Sequence, residues 1–161
     1  MGNFTGIDLT GAILQDRWGV TKYKTADEPL ASSATFQNDD QLSGFTVVAN
    51  AVYALELVSV FTAHASGGLK QRFVIPSGAS LEGWMFGNDP GTADVQAGTP
   101  GDGQVTGIAG VTSTRLPWFI RGTLMMSSTA GVLDWQWAQN ASFATATIVH
   151  KGSRLTLKRI D

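Results

Sequence analysis

The chain has 161 residues, a mass of 17.0 kDa and no cysteine, which excludes a disulfide framework, a thiolate zinc site and a cysteine nucleophile. Charged residues make up 15% and hydrophobic residues 43%, a balance typical of one folded domain and too apolar for a disordered chain. The net charge of −2 provides no basic field, and no apolar stretch reaches the ~20 residues that span a bilayer, so we expect neither nucleic acid nor membrane as a partner.

Residues 1–23 are predicted to form an extended arm in front of the domain. Glycines interrupt its few apolar positions, so neither a strand nor a long helix is indicated. The arm nevertheless carries Ile13, Leu14, Trp18 and Tyr23, which a free arm would leave in water. These side chains either fold back onto the domain or dock on a partner, with Trp18 as the anchor.

Residues 24–161 have the pattern of a β domain. Its most apolar stretch is Phe45–Phe61, where Tyr53, Leu55 and Leu57 share one face while valines occupy the other. A strand that is apolar on both faces needs a cover on both. We therefore expect these three side chains to pack either in the core of one chain or around an axis shared by several subunits.

Residues 87–114 form a Gly-rich excursion that interrupts the β pattern. The segment has seven glycines, two prolines and three aspartates but no basic residue, which predicts a surface loop with a weak strand around Val105–Val111. The sheet restarts after it, where Trp118, Ile120 and Leu124 stand in alternate phase.

Near the C-terminus, Leu133, Trp135 and Trp137 point to one face while Asp134 and Gln136 point to the other. Two indoles on one face bury roughly 300–500 Å² between them, so they belong in a core or in a subunit contact. Several short strands separated by turns, with no helical periodicity beyond the arm, predict a β-sandwich.

The residues indicate no catalytic chemistry. His64 and His150 are the only histidines, both are expected in exposed turns, and no Gly-x-Ser-x-Gly elbow or phosphate-binding loop accompanies them. The scattered aspartates match no calcium-ligand spacing. We therefore expect a protein that is not an enzyme and uses neither cofactor nor metal. A small basic stripe is expected to be a solvated face or to form intersubunit ion pairs: Lys151, Arg154, Lys158 and Arg159.

Three stretches together resemble a domain of virion structural proteins in tailed bacteriophages, especially those that infect actinobacteria: Lys24–Leu42, Ala49–Leu57 and Trp137–Ile160. That domain is similar to the jelly-roll trimers of the C1q and tumour-necrosis-factor type. The resemblance implies an all-β, jelly-roll β-sandwich that forms a homotrimer. It weakens across the Gly-rich excursion, and the short front end departs from the long shaft of a tail fibre.

On this resemblance we expect a trimeric capsid decoration protein, made in the cytoplasm of the bacterial host and bound at the capsid surface. Its partners would be its own copies and the major capsid protein, gripped by the N-terminal arm. One alternative is a small tail or receptor-binding protein. Another is a carbohydrate-binding jelly-roll module, in which an exposed Trp84 or Trp118 would stack on sugar rings.

Overall fold

The computed structural model describes residues 19–89, 94–98, 106–108, 110 and 113–161. The described residues form thirteen strands and no helix, and so include no apolar helix of a length that could cross a membrane. In chain order the strands are β1 (Val20–Tyr23), β2 (Glu28–Leu30), β3 (Gln37–Asn38), β4 (Phe45–Val47), β5 (Val52–Thr62), β6 (Leu69–Val74), β7 (Ser80–Asp89), β8 (Asp94–Gly98), β9 (Thr106–Ile108), β10 (Leu116–Met125), β11 (Gly131–Ala138), β12 (Thr147–Val149) and β13 (Arg154–Arg159).

These strands form two antiparallel sheets, as the turn-separated pattern predicted. The large sheet has eight strands in the order β1-β13-β5-β10-β7-β8, and β12 joins it by pairing with β5 and β2. The small sheet has five strands in the order β3-β11-β6-β9, with β4 pairing beside β11. The all-β sandwich expected from the sequence is therefore confirmed.

The core lies between the sheets and is built by strict alternation along the central strands. Every second residue of β5 is buried, and the intervening residues are half-buried on the outer face. Trp118 enters the core from the large sheet, and Trp135 and Trp137 enter it from the small sheet. The indole Nε1 of Trp135 donates to Oε1 of Gln71 at 2.8 Å, so this buried polar group is paired.

The N-terminal boundary differs from the sequence expectation. Residues 20–23 were expected in the arm, but they form β1, which pairs with β13 in the register Val20↔Leu157 to Tyr23↔Arg154. The pairing satisfies backbone groups at the edge of β13, which explains why the sandwich begins before residue 24. Tyr23 therefore lies on the sheet, whereas Ile13, Leu14 and Trp18 lie outside the described residues.

The Gly-rich excursion contributes strands to both sheets. β7 continues into it as far as Asp89, and β8 pairs back on β7. β9 lies inside the predicted weak strand Val105–Val111 and pairs with β6. The pattern missed β8 because three of its five residues, an aspartate, an alanine and a glycine, are of types depleted in strands, and the strand depends on pairing with its neighbour.

Candidate interaction surface on the large sheet

The outer face of the large sheet carries a row of side chains that crosses five strands. Tyr23, Arg154, Val58, Phe119 and Phe86 stand opposite one another in successive ladders from β1 to β7. Directly opposed residues of an antiparallel pair lie on the same face of the sheet. The row therefore begins with a tyrosine and an arginine and ends in two phenylalanines.

The aromatic surface is the part of this face formed by Val58, Trp84, Phe86 and Phe119. The side chains of Trp84, Phe86 and Phe119 are 51%, 42% and 36% exposed. The rings of Phe86 and Phe119 are tilted by 50° with centroids 6.4 Å apart. All four residues line one shallow depression of about 380 Å³. Single exposed hydrophobic residues are ordinary, but a contiguous patch of aromatic rings marks a site of interaction.

Charged groups border the aromatic surface on one side. Nε and Nη2 of Arg121 each lie 2.8 Å from Oε2 of Glu56, and Nη2 of Arg154 lies 3.4 Å from Oε1 of the same carboxylate. Two guanidinium groups thus share one carboxylate, which leaves this border with a positive charge. Because the three groups are exposed, the pairs contribute little to stability and serve mainly to orient the arginines.

A pair of glycines brings β7 close to β10 beneath the aromatic surface. Gly83 and Gly122 are direct partners in the ladder. A Cβ atom on Gly83 would stand 2.2 Å from the carbonyl oxygen of Arg121 and 2.5 Å from Cα of Gly122. Only glycine allows this approach. The close pairing places Trp84 directly across from Arg121 on the outer face.

The five residues proposed from the sequence for core or trimer packing do not belong to the aromatic surface. All five are sealed in the core of a single chain, so their side chains offer no surface to another subunit. The alternation places them on the inner phase of β5 and β11, and the residues in the opposite phase face outward. Of the two alternatives, core or subunit contact, the whole set thus takes the first: Tyr53, Leu55, Leu57, Trp135 and Trp137.

The two tryptophans proposed as platforms for sugar stacking differ in their exposure. Trp118 is fully buried, which removes it as a platform, whereas Trp84 is half exposed. Phe86 and Phe119 were not singled out from the sequence. Two signals could have found them: Phe86 stands two residues after Trp84 on one strand, and Phe119 follows Trp118 in the opposite phase.

His150 is not the exposed turn histidine that was expected. Its side chain is buried, with Nδ1 3.1 Å from Oδ2 of Asp27 and Nε2 3.1 Å from Oγ1 of Thr62. The amide of Lys151, which donates to Asp27, and the imidazole of His150 both lower the pKa of Asp27. The group ties β2 to the end of β12, which is a structural role.

His64 is half-buried, and its ring stacks on Phe143 with centroids 4.2 Å apart. Within the described ranges, no three histidine or carboxylate side chains cluster so as to hold a metal ion.

A buried charge cluster lies beside β2. Nζ of Lys24 donates to Oδ2 of Asp39 at 2.8 Å and also to Oε2 of Glu28, while Asp40 faces solvent. Burial raises the pKa of Glu28, and the nearby carboxylate of Asp39 raises it further against the opposing effect of Lys24. One ammonium thus serves two buried carboxylates, which makes proton uptake by Glu28 easier than in water.

Comparisons with profiles of known protein families and with curated proteins found no match to this chain. The aromatic surface therefore has to be interpreted from its own geometry.

Proposed function

We propose that this protein is a non-enzymatic virion structural protein that assembles as a homotrimer, with the aromatic surface as its subunit contact. The observation that carries the proposal is the exposed cluster of Trp84, Phe86 and Phe119 on the outer face of the large sheet. The outward residues of β5 are half-buried, and four of the six, including Val58, are apolar. The outer face of β5 is therefore the second apolar face of this strand, which the sequence analysis expected to be covered.

The jelly-roll topology is part of the proposal, and the strand order supports it. We set the β7–β8 hairpin aside as an insertion and treat β1–β2, β3–β4 and β12–β13 as single interrupted strands. Eight segments then follow in chain order: β1–β2, β3–β4, β5, β6, β9, β10, β11 and β12–β13. The large sheet joins the first, eighth, third and sixth of these segments, and the small sheet joins the second, seventh, fourth and fifth. An eight-stranded chain that folds as two Greek keys has this order.

The trimer follows from combining this surface with the resemblance to virion jelly-roll trimers. A subunit that places its aromatic surface against a different region of the next copy makes a head-to-tail contact, which closes into a ring when the rotation fits. The arginines at the border, Arg121 and Arg154, would orient the contact and exclude wrong partners. The number of subunits, three, comes from the resemblance alone.

The capsid surface is the proposed location. The major capsid protein would be the partner, and Ile13, Leu14 and Trp18 remain the candidates for gripping it. A tail or receptor-binding role is the alternative within the same class, and electron cryomicroscopy of the virion separates the two. Density for this protein on the tail alone would contradict the capsid location.

The subunit contact is tested by light scattering on the purified protein. The wild type is expected at about three times the 17.0 kDa of one chain. The variant Phe119→Asp places a charge in the aromatic surface and is expected to dissociate into folded monomers. Val132→Asp is the matched control, because Val132 is also an exposed hydrophobic residue but lies on the small sheet. A wild-type monomer, or a Phe119→Asp variant that keeps the wild-type mass, would contradict the proposal.

A carbohydrate-binding module is the second candidate, and the exposure of Trp84 favours it. An indole beside a carboxylate and a guanidinium in a depression of about 380 Å³ is a combination that binds sugars by stacking and hydrogen bonding. A glycan array tests this function. Hits that disappear in Trp84→Ala would support it, whereas an array without hits would dispose of it.

A further inference from the structure

The outer face of the small sheet carries an ordered group of cations. Lys70 and Arg72 project from β6 over the ring of Phe36, with Nζ of Lys70 4.9 Å and Cζ of Arg72 4.3 Å from the ring centroid. A cation held over an aromatic face gains electrostatic attraction and loses conformational freedom before any partner binds.

A side-chain ladder holds the guanidinium of Arg72 in place. Its Nε donates to Oε1 of Gln136 at 2.7 Å, and Nε2 of Gln136 donates to Oδ1 of Asn38 at 2.8 Å. The three residues stand opposite one another on β6, β11 and β3. Because Nε is used in the ladder and the plane rests on Phe36, the two Nη groups remain to bind something else.

No carboxylate among the described residues forms an ion pair with Lys70 or Arg72. The ion pairs found in this part of the chain all involve other basic residues. Arg121, for comparison, lies against Glu56 on the opposite face of the sandwich. The carboxylate on the same side of β11, Asp134, accepts the backbone amide of Gly44 instead. The described part of the chain therefore prepares two cations without supplying their counter-charge.

We propose that the cationic face, defined as Phe36, Asn38, Lys70, Arg72 and Gln136, binds an extended acidic segment of a partner protein. Lys70 and Arg72 are two residues apart on one strand, so they repeat at about 7 Å along the backbone. Carboxylates at alternate positions of an extended polypeptide repeat at the same distance. The planar guanidinium binds a carboxylate with two hydrogen bonds. A nucleic acid is disfavoured, because the whole chain has a net charge of −2.

The inference is tested by nuclear magnetic resonance titration of the full chain with a short peptide that alternates aspartate and serine. We expect shifts of the side-chain amide resonances of Asn38 and Gln136, which report on the ladder itself. The same peptide with asparagine in place of aspartate is expected to leave them unmoved. A single-stranded oligothymidine that moves them more than the acidic peptide would overturn the protein-segment proposal.

Variants separate this face from general charge attraction. Arg72→Gln and Phe36→Leu are each expected to weaken peptide binding by about fivefold or more. Lys151→Gln removes the same charge from an exposed turn and is expected to change binding by less than about twofold. Equal losses in Arg72→Gln and Lys151→Gln, or none in Phe36→Leu, would overturn the inference. The subunit contact on the large sheet is not involved, so either proposal can fail without the other.

Discussion

Trp118 and Phe119 are neighbours in the chain, yet their rings lie on opposite faces of the large sheet. Trp118 is sealed in the core beside Phe61, whereas Phe119 meets Phe86 on the outer face. The same alternation in β11 buries Trp135 and turns its neighbours in the strand towards the outer face. A side chain's role in this protein therefore depends on its phase more than on its type.

This phase rule predicts a large difference in stability between two truncations. Trp118→Ala is expected to lower the free energy of unfolding by about 3–5 kcal/mol, because it removes a fully buried indole and leaves a cavity. Val132→Ala, at an exposed position of β11, is expected to stay within about 0.5 kcal/mol of the wild type. Urea unfolding of the variants at one protein concentration measures both. Similar losses would mean that Trp118 is not a core residue.

The buried cluster around Glu28 predicts a dependence of stability on pH. Because its folded pKa is raised above the ordinary 4.5, the folded state binds the proton more tightly than the unfolded chain does. The contribution of Glu28 to stability should therefore increase as the pH falls through the folded pKa towards 4.5. Glu28→Gln removes this titration.

Urea unfolding at several pH values between 7 and 4.5 provides the measurement. The free energy of unfolding of the wild type should rise relative to that of Glu28→Gln as the medium becomes more acidic. A difference between the two proteins that stays constant across this range would show that Glu28 does not take up a proton on folding.

Among the elements, the β7–β10 pair determines the shape of the aromatic surface. Its two strands approach at Gly83 and Gly122, where neither side contributes a side chain. Glycine inside a strand usually weakens it, and here it permits a backbone contact that no other residue allows. The two glycines are 39 residues apart in the chain, so the sequence alone cannot reveal that they are partners in the ladder between β10 and β7.

Substitution of Gly83 tests this contact. Gly83→Ala is expected to destabilise the protein by more than Gly152→Ala, which strains only a turn with φ of 89° and has open space around its Cβ position. The strain at Gly152 costs about 1–2 kcal/mol. The clash at Gly83 adds a displacement of β7 from β10. Thermal or urea unfolding ranks the two variants, and a smaller loss for Gly83→Ala would contradict the close approach.

For the whole molecule, the two outer faces of the sandwich are chemically different. The large sheet exposes aromatic rings beside shared ion pairs, and the small sheet exposes a hydrogen-bonded polar ladder with two unpaired cations among the described residues. On the two proposals made above, the two faces would bind different partners.

The placement of β1 predicts how far the N-terminus can be shortened. Removing residues 1–18 leaves β1 in the large sheet, so this truncation is the reference for a longer one that removes β1 as well. Removing residues 1–23 deletes β1 and uncovers the edge of β13, which should lower the midpoint clearly. Equal midpoints for the two truncations would show that β1 does not stabilise the sandwich. On the proposed function, both truncations would also lose attachment to capsids.

Local patterning in the sequence predicted the all-β class, the phase of the central strands and the shared face of Trp135 and Trp137, because alternation along a strand is a local property. It also predicted the weak strand around Val105–Val111, within which β9 (Thr106–Ile108) lies. The sequence could not determine whether the same chain or another subunit covers a hydrophobic side chain, and so it left five residues open between core and subunit contact: Tyr53, Leu55, Leu57, Trp135 and Trp137.

Only the tertiary structure resolved that choice. Strand order depends on contacts between residues far apart in the chain, and the register of those pairs brings Trp84, Phe86 and Phe119 together from two strands. The same long-range pairing buries His150 against Asp27 and aligns Arg72 with Gln136 and Asn38. These groups are invisible in a linear pattern, because each member is ordinary alone and only the pairing of distant strands brings the members together.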